Sequence, residues 1–388
     1  MNKDQRSVLM VSTTASMIEQ FNLNNLKILL QLGAVVHVAT NFEAPGTITK
    51  ESSLRLKSRL EKIGVTCHQV NFKRGFGNPV ANRKAYRQLC SVVEQYKISY
   101  IHTHSPLGSI IARRVARHFG IKILYTAHGF QFFAGGPLIN WLVFWPIEWY
   151  YAHWTDAIVT INTDDYRQAK FLPVKRRYYL PGVGTDIRNA MEFSTQTRNK
   201  LRQEFRNKNR IENDDFLIVS VGELSKRKNH DTVIRAIKKL NDPTIKYLIA
   251  GIGPEKENLK ELINSLGLGN QVKFMGYIEN LNELYFAADL NVFVSRREGL
   301  GLGGLDGVAH GLYIIGNGRT GMKDYIYNER VGLLLNNPND ADDLAHKIKV
   351  VQNERRKIST SAIEPLLKFD VVSVNEKMKA IYYKEFFS

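Results

Sequence analysis

The feature that most constrains the fold is an alternation of short β-branched runs with longer amphipathic stretches, which occurs twice along the chain. Such alternation is typical of βα units around a parallel sheet. The second series restarts at Phe216. The predicted strands are Val8–Ser12, Val35–Ala39, Tyr100–Thr103, Ile121–Thr126, Ala157–Ile161 and Arg177–Leu180, then Phe216–Val221, Ile245–Ile249, Val272–Met275, Leu290–Val294 and Tyr313–Ile315.

This repetition predicts two doubly wound α/β domains, and 388 residues suffice for two separate cores. Pro181 to Gly184 interrupt the strand pattern, so we place the boundary after Asp186, giving domains over 1–186 and 187–370. The stretch Ala15–Leu32 predicts a single helix closed by Gly33. Ligands of open α/β sheets lie beyond the carboxyl ends of the strands, so functional residues are expected to follow strands.

The charge of the chain is strongly basic and unevenly distributed. Its 54 Lys and Arg against 37 Asp and Glu give a formal net charge of +17. Residues 1–190 contain 24 basic and 11 acidic side chains, a balance of +13, whereas residues 191–388 contain 30 and 26, a balance of +4. The two halves are therefore expected to have different partners, and an anionic lipid surface would attract the first.

Simple patterns exclude several classes of protein. The basic residues are scattered over βα units without an RNA- or DNA-binding motif, so we predict no nucleic-acid partner. No apolar run approaches the roughly 18 residues of a membrane-spanning helix, and the run Val8–Val11 is too short for a signal peptide. Cys67 and Cys90 lie in no cysteine–histidine cluster, which argues against a zinc module or a disulfide framework and favours the cytoplasm.

The glycine-rich segment Ser295–Gly307, directly after a predicted strand, carries the strongest functional pattern. Its glycines allow a ligand to approach the backbone closely, and a helix beginning near Leu302 would direct free N–H groups at an anion such as a diphosphate. Glu298 in the loop could accept hydrogen bonds from sugar hydroxyls, and Asp306 in the helix could accept them from a ribose. The alternative is an ordinary strand-to-helix turn with a solvated aspartate.

A second loop, Gly222–His230, follows the first strand of the second half and contains the consecutive cations Lys226, Arg227 and Lys228. Cations between a strand and a helix, here predicted over Asp231–Leu240, could bind phosphates, with Lys228 acting as a point charge. A charge run is more often a solvated loop. Both loops follow strands of one sheet and would open at the same edge, so each supports the other.

Three histidines of the first half also lie at strand ends. His128 follows a predicted strand and could donate to a hydroxyl or phosphate, act as a base, or simply pack in a turn. His102 and His104 alternate along another strand, which invites comparison with a metal site. No carboxylate or cysteine with ligand spacing is near them, so we predict no metal.

All four tryptophans of the chain fall between Trp141 and Trp154. Trp141, Trp145 and Trp149 are four residues apart and would share one helix face, with Pro146 kinking or restarting the helix. Tryptophan favours both membrane interfaces and protein cores, so a membrane contact on the acceptor side and a core helix are both open. Basic residues that could face a lipid surface or a diphosphate acceptor are Arg55, Lys57, Arg59, Lys62, Lys73, Arg74, Arg83, Lys84 and Arg87.

Together these residues resemble the family 4 glycosyltransferases, a retaining, sugar-nucleotide-dependent group with the GT-B architecture of two doubly wound Rossmann-like domains facing across a cleft. The resemblance covers nearly the whole chain and is greatest to the bacterial branch that builds capsular and exopolysaccharide repeat units. Its most specific mark is a pair of acids with seven residues between them, here Glu298 and Asp306. A last helix over residues 371–388 would return to the first domain, as in this architecture.

The resemblance implies roles for individual positions. Glu298 would bind hydroxyls of the donor sugar, Asp306 would bind the ribose, Lys228 and Arg227 would neutralise the diphosphate, and His128 would line the donor-sugar and acceptor side. Further donor-binding positions are Gly222, Ser225, Tyr277 and the segment Gly299, Leu300, Gly301 and Leu302.

Three features of the sequence depart from the family pattern. Ser12 and Thr13 stand where a glycine pair is often found, and their hydroxyls could serve the acceptor or a phosphate. The second acid is usually glutamate, so Asp306, one methylene shorter, must approach the ribose more closely. Glu223 stands where many members carry arginine, which leaves more of the phosphate binding to Lys228.

The resemblance therefore implies a retaining hexosyltransferase that needs neither metal nor cofactor, because the departing phosphate takes the acceptor's proton. Its donor would be a UDP-sugar and its acceptor a polyprenyl-diphosphate-linked saccharide at the inner face of the cell membrane, to which the protein would bind peripherally. Two alternatives stay open. A UDP-sugar 2-epimerase of similar shape would need more cleft carboxylates than the first half offers, and a catalytically idle membrane-associated partner could retain the donor pocket.

Overall fold

The computed structural model describes residues 6–73, 75, 77–104, 106–133 and 135–388, so Arg74 lies outside the described residues. The chain forms two compact units. The first comprises the chain up to Val183 together with Val372–Ser388, and the second comprises Gly184–Val371. The chain therefore passes between the units twice.

The first unit is built on a parallel sheet of seven strands in the order β3-β2-β1-β4-β5-β6-β7. Its strands are β1 (Ser7–Val11), β2 (Val35–Thr40), β3 (Thr66–Gln69), β4 (Tyr100–His104), β5 (Lys122–Ala127), β6 (Ala157–Thr160) and β7 (Arg176–Tyr179). Its helices are α1 (Ala15–Phe21), α2 (Leu23–Gln31), α3 (Lys50–Lys62), α4 (Pro79–Gln95), α5 (Pro106–Phe119), α6 (Leu138–Ala152) and α7 (Thr163–Ala169).

The second unit repeats the architecture with six parallel strands in the order β10-β9-β8-β11-β12-β13. These are β8 (Phe216–Val221), β9 (Ile245–Ala250), β10 (Val272–Gly276), β11 (Leu290–Phe293), β12 (Ile314–Asn317) and β13 (Gly332–Leu335). The helices are α8 (Ile187–Glu192), α9 (Thr195–Asn209), α10 (His230–Leu240), α11 (Lys256–Ser265), α12 (Asn282–Ala287), α13 (Leu302–Ala309), α14 (Ala341–Glu354) and α15 (Thr360–Ile363), with 3₁₀ turns at Gly321–Asp324 and Glu364–Phe369. The predicted pair of doubly wound α/β domains is confirmed.

Both faces of the first sheet are covered, which explains the uninterrupted apolar runs of its central strands. Along β1, Val8 and Met10 point into one hydrophobic cluster and Leu9 and Val11 into another, and all four are fully buried. Side chains of consecutive strand residues alternate between faces, so such a strand is apolar at every position.

Three details of the secondary-structure prediction are wrong. The predicted helix Ala15–Leu32 is two helices separated at Asn22, whose buried side-chain amide donates to the carbonyl of Met17 at 2.9 Å, competing with the helical backbone pattern. The strands β3 and β13 are absent from the prediction, since β3 has the polar sequence Thr-Cys-His-Gln and β13, Gly-Leu-Leu-Leu, contains no β-branched residue.

The chain returns to the first unit through α16 (Val371–Tyr382) and a π-helical turn, Tyr383–Phe387. Met378 and Tyr382 are buried in the cluster that contains β1 and β2 side chains. Glu385, 2% exposed, accepts from Arg176 and Tyr178 of β7, each at 2.5 Å. Apolar burial and a buried carboxylate thus attach the returning segment to the sheet.

In the described parts of the chain, no helix combines the length and the apolar character that crossing a membrane requires.

We expect Met378→Ala to lower the free energy of unfolding of the first unit by about 2–5 kcal/mol, because it leaves a cavity in the core. The matched control is Lys379→Ala, an exposed neighbour on α16, which should change it by less than about 0.5 kcal/mol. Urea unfolding monitored by tryptophan fluorescence reports the unfolding of this unit, since all four tryptophans belong to it. Equal stability of the two variants would show that α16 is not an integral part of the core.

Candidate active site

The candidate site of the second unit forms where two neighbouring parallel strands end. β8 pairs with β11, and the loops that follow them meet, because the backbone N–H of Arg296 donates to the carbonyl of Arg227 at 2.8 Å. In open α/β sheets this carboxyl edge is where ligands bind. The structure thus brings together the two loops singled out in the sequence.

A largely buried carboxylate shared by two cations lies at the centre of these loops. Oε1 of Glu298 accepts from Nζ of Lys228 at 2.7 Å and from Nη1 of Arg227 at 2.6 Å. The side chains of Lys228 and Glu298 are 12% and 11% exposed, whereas that of Arg227 is 43% exposed. The Lys228 ammonium also lies 4.4 Å from the centroid of the Phe293 ring, so it is held from two sides.

Burial and charge act on this cluster in opposite directions. Burial alone would raise the pKa of Glu298, but the positive charges of Lys228 and Arg227 outweigh it and hold that pKa below its usual range. Burial lowers the pKa of Lys228, against the opposing effect of Glu298. The carboxylate is therefore ionised at neutral pH and remains an acceptor for donors in its reach.

The loop after β8 is held in shape by Asn229, which the sequence analysis missed. Asn229 is fully buried in the left-handed region, with φ of 64°. Its amide nitrogen donates to the carbonyls of Val294 at 3.0 Å and Pro338 at 2.6 Å, and its oxygen accepts from Thr232 at 2.8 Å. An asparagine between a cation run and a helix start was the available signal, because asparagine tolerates this conformation.

Arg296 connects the same loops from the solvent side. Its guanidinium donates to Asp231 at 3.0 and 3.2 Å and to Asn339 at 2.8 Å, and it also contacts the carbonyl of Lys226. Asn317, fully buried, donates to the carbonyl of Ser295 at 2.8 Å. Polar side chains bonded to loop backbone thus fix the position of the Lys228 and Glu298 backbones.

The glycine-rich loop leads into α13, which begins at Leu302 as predicted. Gly301 has φ of +83°, and its carbonyl accepts from the buried hydroxyl of Tyr325 at 3.1 Å. A Cβ atom on Gly303 would lie 2.6 Å from the carbonyl oxygen of Val221, so only glycine lets α13 approach the end of β8 so closely. The first N–H groups of a helix have no intrahelical acceptor, so the start of α13, which lies beside the loop that carries Lys228, could bind an anion.

Asp306 lies in the second turn of α13 and is partly buried. Burial, together with the negative charge of Asp186, raises the pKa of Asp306 to about 6. A hydroxyl or amine that donates to this carboxylate would favour its charged form. The residue is thus suited to binding a polyol.

The other residues predicted to bind the sugar donor differ in their contacts with the cluster of Glu298, Lys228 and Arg227. Gly222 lies against Lys228, since a Cβ atom there would be 3.3 Å from Nζ. The hydroxyl of Ser225 is buried and has no hydrogen-bond partner among the described residues. Leu300 is 2% exposed and packs inward, so only its backbone and that of Gly299 can face a ligand.

Tyr277 follows the edge strand β10, separated from β8 by β9, and is 75% exposed. The structure does not bring it against the cluster.

In the first unit, His128 follows β5 and lies 3.0 Å from His104, from Nε2 to Nδ1. Ser12 is fully buried, and its hydroxyl bonds to the carbonyl of Thr14 at 2.9 Å and the hydroxyl of Thr40 at 3.0 Å. Thr13 is 8% exposed. Within the described part of the chain, no group of three or more His, Cys, Asp or Glu side chains could hold a metal ion.

Of the two interpretations left open for the tryptophans, a core helix fits Trp141 and Trp145. Helix α6 runs through Pro146 without interruption, and Trp141 and Trp145 are partly buried against the core, so they do not form an outward face. Trp149 is 41% exposed. The outward side, which we call the exposed α6 face, consists instead of Leu138, Ile139, Leu142, Val143, Trp149 and Tyr150.

The rotation of α6 is set by its only charged residue, Glu148. Glu148 accepts from Arg113 at 2.7 Å, and the side chain of Arg113 is fully buried and lies over the Tyr125 ring at 4.3 Å. A helix with Glu148 inward turns Trp141 and Trp145 inward as well, because these residues recur every three or four positions. The residues between them, mostly aliphatic, must then face outward.

A model described as glycosyl transferases group 1 matches residues 202–364, and one described as a glycosyl transferase 4-like domain matches residues 19–181. The protein EpsD of Bacillus subtilis, assigned as a glycosyltransferase, is 31% identical over 97% of this chain and 96% of its own.

Two further comparisons concern a more distant relative and a solved structure. The UDP-Gal:α-D-GlcNAc-diphosphoundecaprenol α-1,3-galactosyltransferase of Escherichia coli is 23% identical over 78% of this chain and 80% of its own. The structure of HepE from Anabaena in complex with UDP-glucose has a TM-score of 0.76 at 16% identity, covering 97% of this chain and 99% of HepE. The GT-B fold expected from the sequence is thus confirmed, and the chain belongs to the family 4 glycosyltransferases.

Proposed function

We propose that this glycosyltransferase moves a sugar from a UDP-linked donor to a saccharide carried on a polyprenyl diphosphate, with retention of the anomeric configuration, in capsular or exopolysaccharide synthesis. The observation that carries the proposal is the Glu298 carboxylate bound by Lys228 and Arg227 beside the start of α13. Two cations and a helix N-terminus suit a diphosphate, and two carboxylates suit the hydroxyls of a hexose and a ribose.

Binding of the donor would redistribute charge within the cluster. A diphosphate attracts the same two cations as Glu298, so on binding it would take over part of their hydrogen bonding. The Glu298 oxygens would then accept from sugar hydroxyls, while Lys228 stays close enough to neutralise the leaving phosphate. Stabilisation of this developing charge is the main catalytic contribution that we assign to the site.

The reaction needs no metal or cofactor in this proposal. The cations of Lys228 and Arg227 and the N–H groups at the start of α13 supply the positive charge for the leaving diphosphate. The departing phosphate oxygen accepts the proton of the acceptor hydroxyl as the new glycosidic bond forms on the same face of the sugar. No enzymic nucleophile is then involved, which agrees with a site whose central carboxylate is bound by two cations.

The choice of UDP and of a lipid-linked acceptor is supported by proteins similar to this chain. HepE was solved with UDP-glucose, and the name of the Escherichia coli relative gives UDP-Gal as donor and GlcNAc-diphosphoundecaprenol as acceptor. The same nucleotide and the same class of acceptor are our proposal here.

The exposed α6 face supports peripheral binding to the inner face of the cell membrane. Leu138 and Leu142, one helical turn apart, are 80% and 72% exposed, and Ile139 is 62% exposed. A basic side chain lies near the C-terminal end of this helix, because the exposed Arg117 of α5 stacks 4.3 Å from the ring centroid of Trp154 just beyond α6. An apolar face in the half of the chain that carries a net charge of +13 fits an anionic lipid surface, where a lipid-linked acceptor resides.

Lys228, in the loop after β8, provides a test of the donor site. Lys228→Ala should lower kcat/KM for transfer from a UDP-sugar by roughly a hundredfold or more, because it removes charge stabilisation of the leaving diphosphate. Lys226→Ala, two residues away and exposed, is the matched control and should stay within about threefold of the parent. Mass and anomeric configuration of the product identify the reaction. Equal activity of both variants would contradict the proposed donor site, and epimerised sugar without acceptor would favour an epimerase.

Another prediction concerns pH. With the pKa of Asp306 raised to about 6, the carboxylate that accepts from the ribose is lost as pH falls through that value. Affinity for a UDP-sugar should therefore fall about tenfold between pH 7 and pH 5. A UDP-sugar is the suitable ligand, since its doubly substituted diphosphate has no proton to gain in this range. Asp306→Asn should bind more weakly and with no such pH dependence in calorimetry. A variant with the parent's pH profile would exclude Asp306 as the titrating group.

A further prediction concerns the membrane. The double substitution Leu138→Glu with Leu142→Glu should weaken flotation with anionic phosphatidylglycerol liposomes at least about tenfold, because two apolar side chains no longer enter the lipid. Leu54→Glu replaces a leucine 63% exposed on α3 and controls for added charge. Flotation of the double variant like the control, or equal flotation of the parent with neutral liposomes, would argue against the exposed α6 face as an anionic lipid-binding surface.

A further inference from the structure

Three histidines of the first unit form a connected group at the ends of β4 and β5. His102 and His104 lie on the same side of β4, with ring centroids 4.1 Å apart. Nδ1 of His104 lies 3.0 Å from Nε2 of His128, which follows β5. The spacing of His102 and His104 in the sequence suggests only a metal site, and neither residue has a role in the proposed function.

The first histidine is fixed by its own partners. His102 is fully buried, with Nδ1 at 2.7 Å from the hydroxyl of Tyr382 and Nε2 at 2.8 Å from the hydroxyl of Thr126. Because both ring nitrogens are bonded, the His102 ring has one orientation. It forms a fixed surface against which the ring of His104 packs.

His104 is also fully buried, and burial holds its pKa well below the usual value. Its ring is therefore neutral and carries one proton, on either Nδ1 or Nε2. Nδ1 faces His128, while Nε2 is buried and has no hydrogen-bond partner in the described part of the chain. The environment of Nε2 thus decides which nitrogen is protonated.

The proton of His104 has two possible positions, and they differ in free energy. If His104 carried its proton on Nε2, a buried N–H group would be left without an acceptor, which folded proteins rarely tolerate. If the proton is on Nδ1, only a lone pair of Nε2 is unpaired, and the Nδ1–H donates to Nε2 of His128. The second arrangement is favoured because it leaves no buried donor unpaired.

We infer that His104 is a positioning residue that donates Nδ1–H to Nε2 of His128 and so holds His128 as the Nδ1–H tautomer. The outer nitrogen of the half-buried His128 ring is then a hydrogen-bond donor to a sugar or phosphate oxygen of the substrates, and His128 does not act as a general base. The inference rests on the proposed function for the identity of those substrates.

The surroundings of His128 agree with this role. Burial lowers the pKa of His128 to about 4, so the ring is neutral at physiological pH. Its tautomer then determines which ring nitrogen donates a hydrogen bond and which accepts one. Nδ1 of His128 makes no hydrogen bond to another residue that the structure describes, and the Phe21 ring, at a centroid distance of 5.5 Å, limits the positions of the imidazole. A base is also unnecessary in the proposed reaction, where the departing phosphate receives the proton.

The inference can be tested directly by measuring which ring nitrogen of His128 is protonated in the full chain. Long-range proton–nitrogen spectra of protein labelled with ¹⁵N-histidine distinguish a protonated from an unprotonated ring nitrogen, and His128→Asn identifies the signals. We expect Nδ1 protonated and Nε2 unprotonated between pH 6 and pH 8. A proton on Nε2 in this range would overturn the inference.

A matched pair of variants tests the effect on transfer. His104→Asn and His104→Asp are nearly the same size, and the Asn amide occupies about the place of Nδ1. The amide can donate to His128, whereas the carboxylate can only accept and would draw the His128 proton to Nε2. We expect His104→Asn to keep kcat within about threefold, and His104→Asp to lose roughly a hundredfold in kcat with the His128 tautomer reversed.

Two controls separate this role from a structural one. His118→Asn changes an exposed histidine of α5 and should leave both kcat and the His128 signals unchanged. If His104→Asp does not fold, His104→Phe keeps a ring without the donor, and it should lower kcat while tryptophan fluorescence reports a folded unit.

The outcomes distinguish the inference from the proposed function. Equal kcat of His104→Asn and His104→Asp in an active enzyme would overturn the inference alone. Absence of transfer by the parent protein with any UDP-sugar would overturn the proposed function, while the tautomer measurement would still decide the His104–His128 hydrogen bond.

Discussion

The site of the second unit depends on one carboxylate that binds two cations. Lys228 and Arg227 both donate to the same oxygen of Glu298, so their positive charges lie close together only because that oxygen is between them. Like charges at such distances repel, and the repulsion is strongest where burial excludes water. Glu298 therefore holds the two cations together. Under the proposed function, the same geometry would serve a diphosphate and would offer carboxylate oxygens to the sugar attached to it.

The sequence predicted the elements of this site better than the interactions that hold them. Continuous apolar strands such as β8 and the glycine-rich start of α13 follow from local patterns, which is why the two loops were located correctly. Asn229, Arg296 and Asn317 act through hydrogen bonds to residues 22 to 109 positions away along the chain. No periodicity or spacing marks such pairs in a single sequence, so they became visible only with the fold.

Helix α6 shows a different limit of sequence reasoning. Nearly every residue of this helix is apolar, so its pattern cannot tell the core side from the outer side. The buried pair of Arg113 and Glu148 resolves the question, since a charge can be buried only next to a partner. Trp141 and Trp145, which drew the functional interpretation, are held inward by this pair, whereas Trp149 and the less conspicuous leucines and isoleucine are exposed.

The path of the chain has a consequence for how the protein is made. The second unit is continuous in sequence, and its two ends lie side by side, where the N–H of Val371 donates to the carbonyl of Thr185 at 3.0 Å. The first unit is completed only by residues 372–388, which leave the ribosome after the whole of the second unit. The nascent chain can therefore finish the second unit first. Until the hydroxyl of Tyr382 arrives beneath β4, His102 lacks one of its two partners, so the histidine group reaches its final arrangement only when synthesis has passed that residue.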